Sequence, residues 1–310
     1  MIIHEGYEDL NLSSTVVTLG IFDGVHRGHM ALIDYLVSVA HAKKCESVVI
    51  TFSPHPRIVL EPENANLAFL TTMKEKAALL EKAGIDHLII IQFNREFSLI
   101  PACEFIREIL FKKIGNRHLI IGYNHHFGRR GEGDINTIRQ CSEDLGFIIE
   151  QVQEFSTEDG AVSSSVIREA LLKGDLDDAN RWLGYYYSIS GTVIEGKKIG
   201  RTIGFPTANI EPDSGNKLIP FNGVYAVEVF VDNKIHKGML NIGSNPTVNN
   251  NVSFRSIEVN ILDFDEDIYG KIITVVFRKR LRDEKKFSGL KQLTEQMETD
   301  KQNTLRLLKG

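Results

Sequence analysis

The sequence predicts an α/β protein of two domains: a doubly wound parallel sheet, then a small antiparallel β-barrel with a terminal helix. In the first half, strand-like apolar runs alternate with helical patterns at intervals of about one helix length. From Tyr185 onward the apolar residues recur at every second position, and helical patterns disappear until the last segment. A chain of 310 residues can bury a core in each of two domains. We place the boundary near Gly184, which gives domains 1–184 and 185–310.

Turn and capping residues bound the elements of the first half. The helix over 28–43 has apolar residues on a 3.6-residue repeat, and the helix over 73–83 ends at Gly84. Pro101 opens the next helix, and Gly146 follows the one after it. The predicted strands are 15–21, 47–52, 87–93, 118–122 and 147–152, and the predicted helices are 28–43, 73–83, 102–113, 136–145, 165–173 and 176–183. Parallel sheets of this kind bind ligands at the carboxyl ends of their strands.

The second half contains short strands parted by Gly, Asn and Asp turns. The predicted strands are 187–194, 207–210, 224–231, 236–241, 256–262 and 272–277, and an amphipathic helix over 290–308 follows. Short strands without intervening helices are typical of an antiparallel barrel.

Composition and charge favour a cytoplasmic protein with small-molecule partners. The net charge is −5 and no basic block occurs, so nucleic acid and membranes are not expected as partners. The N-terminus lacks a secretory signal, and no apolar run is long enough to span a bilayer. Cys45, Cys103 and Cys141 are far apart, which predicts neither disulfides nor a zinc site. We expect a monomer or a weak homo-oligomer.

The segment LGIFDGVHRGH, from Leu19 to His29, is the most informative motif. His26 and His29 are three residues apart, so at the start of a helix they share one face at its positive end. Gly28 removes bulk there, so a phosphate chain can approach the backbone. Imidazole donors at a helix N-terminus suit the charge that develops on an α-phosphate under attack. The alternative is a simple turn between strand and helix whose glycines only shape the corner.

Three further segments combine rings, cations and hydroxyl groups. In TFSPHPR, residues 51–57, two prolines fix a loop that could present Phe52 and His55 to a ring, or only form a rigid turn. IGYNHHFG, residues 121–128, and the arginines after it suit stacking a heterocycle while neutralising phosphate. Adjacent histidines point apart in an extended loop, so we reject a metal site there. VSSSVIR, residues 162–168, offers a helix cap and phosphate-binding hydroxyl groups, with Arg168 as a clamp.

Together, in this order, the four segments resemble the N-terminal module of bacterial bifunctional riboflavin kinase/FMN adenylyltransferases, also called FAD synthetases. The resemblance implies a Rossmann-like nucleotidyltransferase domain in which His26 and His29 act on the ATP phosphates. The ATP-binding residues that it implies are Gly20, Phe22, Asp23, Gly24, His26, Gly28, His29, Ser164, Ser165 and Arg168. The implied flavin-binding residues are Phe52, Pro54, His55, Asn124 and Phe127, and many members of the family have an aspartate where Asn124 stands.

A second motif, GKKIGRTIGFPTAN, covers residues 196–209. Its glycines and cations predict a backbone cradle for phosphates. Thr207 and Asn209 alternate onto one face of a strand and offer the neutral oxygens that hydrated Mg²⁺ accepts beside substrate phosphates. The alternative is a glycine-rich hairpin followed by an ordinary strand.

The later segments resemble the riboflavin kinase module of the same family: FNGVYAVE from Phe221, NIGSNPT from Asn241, IEVNILDF from Ile257, and Tyr269-Gly270. The resemblance implies that Glu258 is the catalytic base and that Thr207 and Asn209 hold Mg²⁺. The implied ATP-binding residues are Gly196, Gly200, Arg201, Gly204, Pro206, Thr207 and Asn209, and the implied flavin-binding residues are Asn241 and Arg282. From the residues alone, Glu258 could equally be a cross-strand partner on a solvated face. The charged segment 278–287 is interpreted as a solvated turn or a flap over the flavin.

The resulting hypothesis is a two-step enzyme with Mg²⁺ as cofactor. Riboflavin and ATP give FMN and ADP at the C-terminal site, and FMN and ATP give FAD and pyrophosphate at the N-terminal site. One alternative is an adenylyltransferase whose barrel only binds a ligand. Another is a non-catalytic flavin or nucleotide sensor.

Overall fold

The structure is a computed structural model that describes residues 1–64, 67–123, 127–128, 131, 133–143, 145–153, 156–157, 160–196, 199–245 and 254–309. The chain divides into two compact units, Met1–Ser164 and Ser165–Gly310. The first contains a parallel sheet and the second a closed antiparallel barrel, which confirms the predicted fold class.

The first unit alternates strands and helices. Its strands are β1 (Ile2–Glu5), β2 (Thr15–Leu19), β3 (Glu46–Ser53), β4 (His87–Gln92), β5 (Asn116–Gly122), β6 (Ile148–Val152), and the two-residue strands β7 (Ser156–Thr157) and β8 (Gly160–Ala161). Its helices are α1 (Arg27–Lys43), α2 (Pro56–Leu60), α3 (Met73–Lys82), α4 (Ala102–Glu104), which continues as a π-helix over Phe105–Lys113, and α5 (Ile135–Ser142). Short 3₁₀ turns cover Pro62–Asn64 and Phe97–Leu99.

The six long strands form one parallel sheet in the order β1-β4-β3-β2-β5-β6. Alternate strand residues face opposite sides of a sheet. On one side they pack against Ile33 and Leu36 of α1 and Leu80 of α3, and on the other against Phe105 of the π-helix and Ile138 of α5. The sheet is therefore doubly wound. Strand order reverses on either side of β2, so the loop after β2 lies at the position where such sheets bind ligands.

The second unit is a barrel preceded by two helices. Its helices are α6 (Ser164–Lys173, which begins at the last residue of the first unit), α7 (Leu176–Leu183), α8 (Ile199–Thr202) and α9 (Leu290–Leu307). Its strands are β9 (Ser188–Ile194), β10 (Ala208–Pro212), β11 (Gly223–Val231), β12 (Lys234–Asn245), β13 (Phe254–Ile261) and β14 (Ile272–Arg282). They close in the order β10-β13-β12-β11-β14-β9 with antiparallel pairing throughout.

Helices α6 and α7 bond to the barrel, so the unit division precedes the predicted boundary near Gly184. The Phe221 N–H group donates to the Leu171 carbonyl of α6. The Asn180 side chain of α7 accepts from the Tyr187 N–H group and donates to the Phe277 carbonyl.

The structure corrects the prediction that the cysteines form no disulfide. Cys103 and Cys141 are joined, with their Cα atoms 5.1 Å apart, and Cys45 keeps a free thiol. Cys103 belongs to α4 and Cys141 to α5, and these two helices pack side by side. Spacing along the chain does not reveal that proximity. Among the described residues, no helix has the length and apolar character needed to cross a membrane.

Candidate active sites

The first candidate site is built on the loop between β2 and α1. His26 is the N-cap of α1, and its Nδ1 accepts a hydrogen bond from the His29 N–H group at 3.4 Å. The two imidazole rings stack with centroids 3.7 Å apart, and the edge of Phe22 packs 5.1 Å from the His29 ring. Both imidazoles therefore lie together at the positive end of the helix, as the spacing predicts.

The environment of His29 favours its neutral form. Burial lowers the pKa of His29 well below its ordinary value, and the positive charges of His26 and Lys76 lower it further. The buried Nδ1 atom of His29 has no hydrogen-bond partner in the part of the chain that the structure describes. A neutral imidazole keeps one N–H donor and one acceptor, so this ring can donate to a phosphate oxygen without carrying a charge.

Glycines allow the close packing around the two histidines. A Cβ atom on Gly28 would lie 3.2 Å from the His26 ring and 3.6 Å from the Val162 carbonyl oxygen. A Cβ atom on Gly20 would lie 3.1 Å from the Phe22 ring. Gly24 has a φ of 82°, a conformation that favours glycine.

Hydrogen bonds of Asp23 and Ser164 hold the loop between β2 and α1 in place. The Asp23 carboxylate accepts the N–H groups of Leu70 and Thr71 at 3.0 and 3.1 Å. The Ser164 hydroxyl donates to the Asp23 carbonyl oxygen at 2.8 Å, which ties the start of α6 to the loop. Ser165 is exposed and Arg168 half-buried, one turn further along α6.

A cavity of about 430 Å³ lies beside this loop and is walled mainly by aromatic and apolar side chains. Its lining residues are Gly20, Ile21, Phe52, Pro56, Leu60, Phe93, Phe97, Ser98, Ile100, Phe105, Phe127, Gly128 and Gly131. Phe52 and Phe127 are thus two of the predicted flavin residues that line it. Phe93, Phe97 and Phe105 were not predicted to line a site; for the first two, the available signal is the aromatic segment FNREF directly after β4.

Two other predicted flavin-binding residues, Pro54 and His55, are not among the residues that line this cavity. His55 caps α2, where its Nδ1 accepts the Arg57 N–H group at 3.1 Å, and its ring stacks on Phe69 at 5.6 Å. Pro54 precedes it, next to Ser53 at the end of β3. Asn124 lies outside the described residues, as do His125, His126, Arg129 and Arg130.

The second candidate site is a row of polar side chains across three barrel strands. Glu258 on β13 pairs in register with Asn209 on β10 and with Asn241 on β12. Thr207, directly before β10, donates from Oγ1 to Glu258 Oε2 at 3.4 Å. All four side chains are half-buried, so Glu258 does not lie on a fully solvated face.

Two cavities share Thr207 as a lining residue. A cavity of about 390 Å³ is lined by Val193, Arg201, Pro206, Thr207, Ala208, Val259, Ile261, Phe264, Asp265, Glu266, Asp267, Ile268 and Tyr269. The other, of about 300 Å³, is lined by Gly200, Ile203, Thr207, Val224, Met239, Leu240, Asn241, Glu258, Asn260, Arg282, Glu284, Lys285, Phe287, Leu293, Met297 and Asp300. Such an arrangement can hold two ligands whose reactive ends meet at Thr207 and Glu258.

The predicted glycines of this motif are close to other groups. A Cβ atom on Gly196 would overlap the side-chain amide of Asn209, and one on Gly200 would overlap the Phe205 carbonyl. Gly204 has a φ of 81°. The Pro206 carbonyl accepts a hydrogen bond from the Asn260 amide at 2.7 Å, which fixes the start of β10.

Arg282 lines the 300 Å³ cavity and is also held by α9. Its guanidinium group donates to both oxygens of Asp300, with Nη2 2.7 Å from Oδ2, and both side chains are largely buried. The charged segment 278–287 contributes Glu284, Lys285 and Phe287 to the cavity wall. The predicted solvated turn over 278–282 is wrong, because these residues extend β14, and a flap over the flavin stays a prediction.

The donor set beside Glu258 suits Mg²⁺ rather than a transition metal. Thr207 and Asn209 offer a hydroxyl and an amide oxygen. Within the described ranges, no group of three or more His, Cys, Asp or Glu side chains could hold a metal ion. Mg²⁺ usually keeps several waters and binds through few protein oxygens plus substrate phosphates, so these residues fit it.

Comparison with known proteins gives matches in both halves of the chain. The sequence profile of the FAD synthetase family matches residues 9–166, and that of the riboflavin kinase family matches residues 183–308. The bifunctional riboflavin kinase/FMN adenylyltransferase of Listeria monocytogenes is 38% identical over 93% of this chain and 91% of its own length. The protein of the same description from Bacillus subtilis is 37% identical over 95% of this chain and 92% of its own length.

A solved structure is similar throughout. The crystal structure described as a macrolide-efflux protein from Streptococcus pneumoniae superposes with a TM-score of 0.90 at 30% identity, covering 98% of this chain and 99% of that one. The sequence profiles and the curated relatives cover most of the chain and agree with each other. This chain belongs to the family of bifunctional riboflavin kinase/FMN adenylyltransferases.

Proposed function

We propose that the chain carries out the two reactions of its family at two separate sites, one in residues 1–184 and one in residues 185–310. The stacked histidines and the aromatic cavity of the first unit support adenylyl transfer to FMN. The row of Thr207, Asn209 and Glu258 between two cavities supports phosphorylation of riboflavin. The observation that carries the proposal is the hydrogen bond from Thr207 to Glu258 at the place where the two barrel cavities meet. The functional domains that we assign are 1–184 and 185–310.

In the kinase reaction, the 390 Å³ cavity holds ATP and the 300 Å³ cavity holds riboflavin. The Glu258 carboxylate takes the proton of the terminal ribityl hydroxyl as that oxygen forms a bond to the γ-phosphorus. The bond between the γ-phosphorus and the bridging oxygen breaks, and ADP leaves with the electron pair. Phosphoryl transfer depends mainly on positioning and charge neutralisation, so one base in register with two amide side chains is sufficient.

Thr207 and Asn209 would hold Mg²⁺. When bound, the ion would neutralise negative charge on the transferring phosphoryl group. Gly196 lies against Asn209 without a side chain and so leaves room for that amide. Arg282 and Asn241 line the flavin cavity, where Arg282 is oriented by Asp300.

In the adenylyl transfer, the isoalloxazine ring of FMN lies in the aromatic cavity with Phe52 and Phe127. A phosphate oxygen of FMN bonds to the α-phosphorus of ATP, and the bond to pyrophosphate breaks. The nucleophile is already ionised, so no general base is required. His26, His29 and the N-terminus of α1 donate to the charge that develops on the α-phosphate oxygens. By the resemblance to the family, we assign Ser165 and Arg168 to the triphosphate and Asn124, which lies outside the described residues, to the flavin.

We infer that the partners are riboflavin, FMN and ATP, that nucleic acid and membranes are not involved, and that the protein works in the cytoplasm as a monomer or weak homo-oligomer.

A crossed pair of variants tests the assignment. His29→Ala should lower FAD formation from FMN and ATP by about 10²-fold or more while FMN still forms from riboflavin at the wild-type rate. Glu258→Gln should lower FMN formation by about 10³-fold and leave FAD formation from supplied FMN unchanged. Product chromatography over time measures both activities in each variant. The activity that one variant retains is the control for the activity that the other variant loses. Loss of both activities in a folded single variant would contradict the two-site assignment.

A further inference from the structure

Lys76 is a buried lysine of α3 beside the adenylyltransferase site, only 5% exposed. Its ammonium group donates to the Ile21 carbonyl oxygen at 2.6 Å and lies 3.4 Å from Thr51 Oγ1. The Thr51 hydroxyl itself donates to the same carbonyl at 3.2 Å. Ile21 belongs to the loop that carries His26, and Thr51 belongs to β3. The ammonium group therefore fastens the loop to the neighbouring strand.

The loop requires such fastening because its backbone is strained. Phe22 and Val25 have φ values of 50° and 36°, a conformation that costs a residue other than glycine about 1–3 kcal/mol. Two sets of contacts, made by α3 and the segment before it, hold the loop in place. The segment before the helix binds Asp23 through backbone N–H groups, and Thr71 Oγ1 accepts from the Gly24 N–H group at 3.0 Å. Lys76 fixes the other end of the loop at Ile21.

Lys76 also brings a charge close to the imidazoles. Burial lowers the pKa of Lys76 to about 8, and the nearby Asp23 carboxylate opposes that shift, so the side chain is a cation at pH 7. The groups that lower the pKa of His29 are its burial, His26 on the same loop and Lys76 on α3. A buried cation is costly to maintain, and a less polar side chain of similar length would serve packing alone.

We propose that Lys76 is a positioning residue for adenylyl transfer: its ammonium group fixes the loop that carries His26 and, at neutral pH, places a positive charge near the two imidazoles. Lys76 forms no bond in the reaction, in which the FMN phosphate displaces pyrophosphate from the α-phosphorus. The inference rests on the assignment of adenylyl transfer to this site. During the reaction, negative charge accumulates at the N-terminus of α1, and the cation stabilises it. A fixed cation does this without reorganisation as the reaction proceeds.

The test uses Lys76→Met in the full-length protein, with Lys82→Met as the matched control. Lys82 is an exposed lysine of the same helix, so both variants remove one cation from α3. FAD formation from FMN and ATP should fall about 10²-fold in kcat for Lys76→Met and stay within about twofold for Lys82→Met. FMN formation from riboflavin should be unchanged in both, and circular dichroism and thermal unfolding that match the wild type show that the first unit is folded.

A pH profile separates this role from simple packing. Removal of the cation makes protonation of His29 easier, so the acid limb of kcat/KM for FAD formation should move to higher pH in Lys76→Met and not in Lys82→Met. Lys76→Arg retains the charge and should keep the wild-type acid limb. Wild-type FAD formation with an unmoved acid limb in Lys76→Met would overturn the inference. If Lys76→Met loses both activities, the Lys76→Arg variant decides. An acid limb of FAD formation in Lys76→Arg that matches the wild type supports the inference, and a shifted acid limb overturns it.

The outcome also distinguishes this inference from the function assignment. An active His29→Ala variant would contradict the site itself. An inactive His29→Ala together with a fully active Lys76→Met would contradict only the role of Lys76.

Discussion

The two candidate sites hold their reactive groups in different ways. In the first unit, His26 is buried and His29 half-buried at the end of a loop that contains residues at positive φ, and contacts from Thr71, Lys76 and Ser164 keep it in place. In the second unit, Glu258 and its neighbours are half-buried and take their positions from strand register. In adenylyl transfer, at the first site, the nucleophile is an ionised phosphate, which needs charge stabilisation only. In riboflavin phosphorylation, at the second site, the nucleophile is an alcohol, which needs a base that the substrate can reach.

This contrast indicates where each site is vulnerable. The loop site depends on hydrogen bonds made by residues outside it, so substitutions at Lys76 or Thr71 should affect it without any contact to substrate. The barrel site depends on ladder geometry, which single side chains change little. Its sensitive points are the close approach at Gly196 and the attachment of α9, which closes the flavin cavity.

The attachment of α9 gives the largest expected effect. In Asp300→Asn, the buried Arg282 guanidinium group loses its charge partner, which should lower the free energy of unfolding of the second unit by about 3 kcal/mol. Differential scanning calorimetry and urea unfolding measure this loss. Asp178→Asn breaks the exposed Arg181–Asp178 pair of the same unit, where both side chains are 50% exposed, and should change stability by less than about 0.5 kcal/mol. Equal effects of the two substitutions would refute a special role for the buried pair.

Gly196 gives the next largest effect, on activity rather than stability. In Gly196→Ala the added Cβ atom pushes the Asn209 amide aside, so FMN formation should fall about tenfold or more in kcat/KM. FAD formation from supplied FMN should be unaffected. The matched control is Gly215→Ala, where a Cβ atom meets nothing within 4 Å. Full kinase activity in Gly196→Ala would mean that Asn209 does not need its present position.

Periodicity in the sequence predicted most of the architecture because the core is regular. The helix predicted over 28–43 is observed as Arg27–Lys43, and 176–183 is observed without change. β1 was missed, since a four-residue edge strand has too few positions for a pattern to emerge. The Cys103–Cys141 disulfide was missed for a related reason, because helix packing and not local spacing brings the two residues together.

The candidate sites were predictable only where chemistry is concentrated in short motifs. The Gly20–His29 loop and the Thr207–Asn209 segment were found, because glycine, histidine and hydroxyl residues stand close together there. Lys76 was not singled out, since a lysine in an amphipathic helix is expected to be solvated, and only the tertiary structure reveals its burial. Phe97 and Phe105 were missed likewise, because aromatic residues are common in any core.

The smallest expected effect concerns the burial of His29. Its pKa is lowered in the folded state, chiefly by burial, so the unfolded chain binds more protons as pH falls through 6.5 and stability decreases with acidification. Acidification from pH 7 to 5.5 should therefore lower the free energy of unfolding of the first unit. His29→Gln cannot titrate there, so its free energy of unfolding should fall less over the same pH range. Urea unfolding at the two pH values, followed by a probe in the first unit, measures the difference. A pH-independent difference would mean that the folded protein does not lower the pKa of His29.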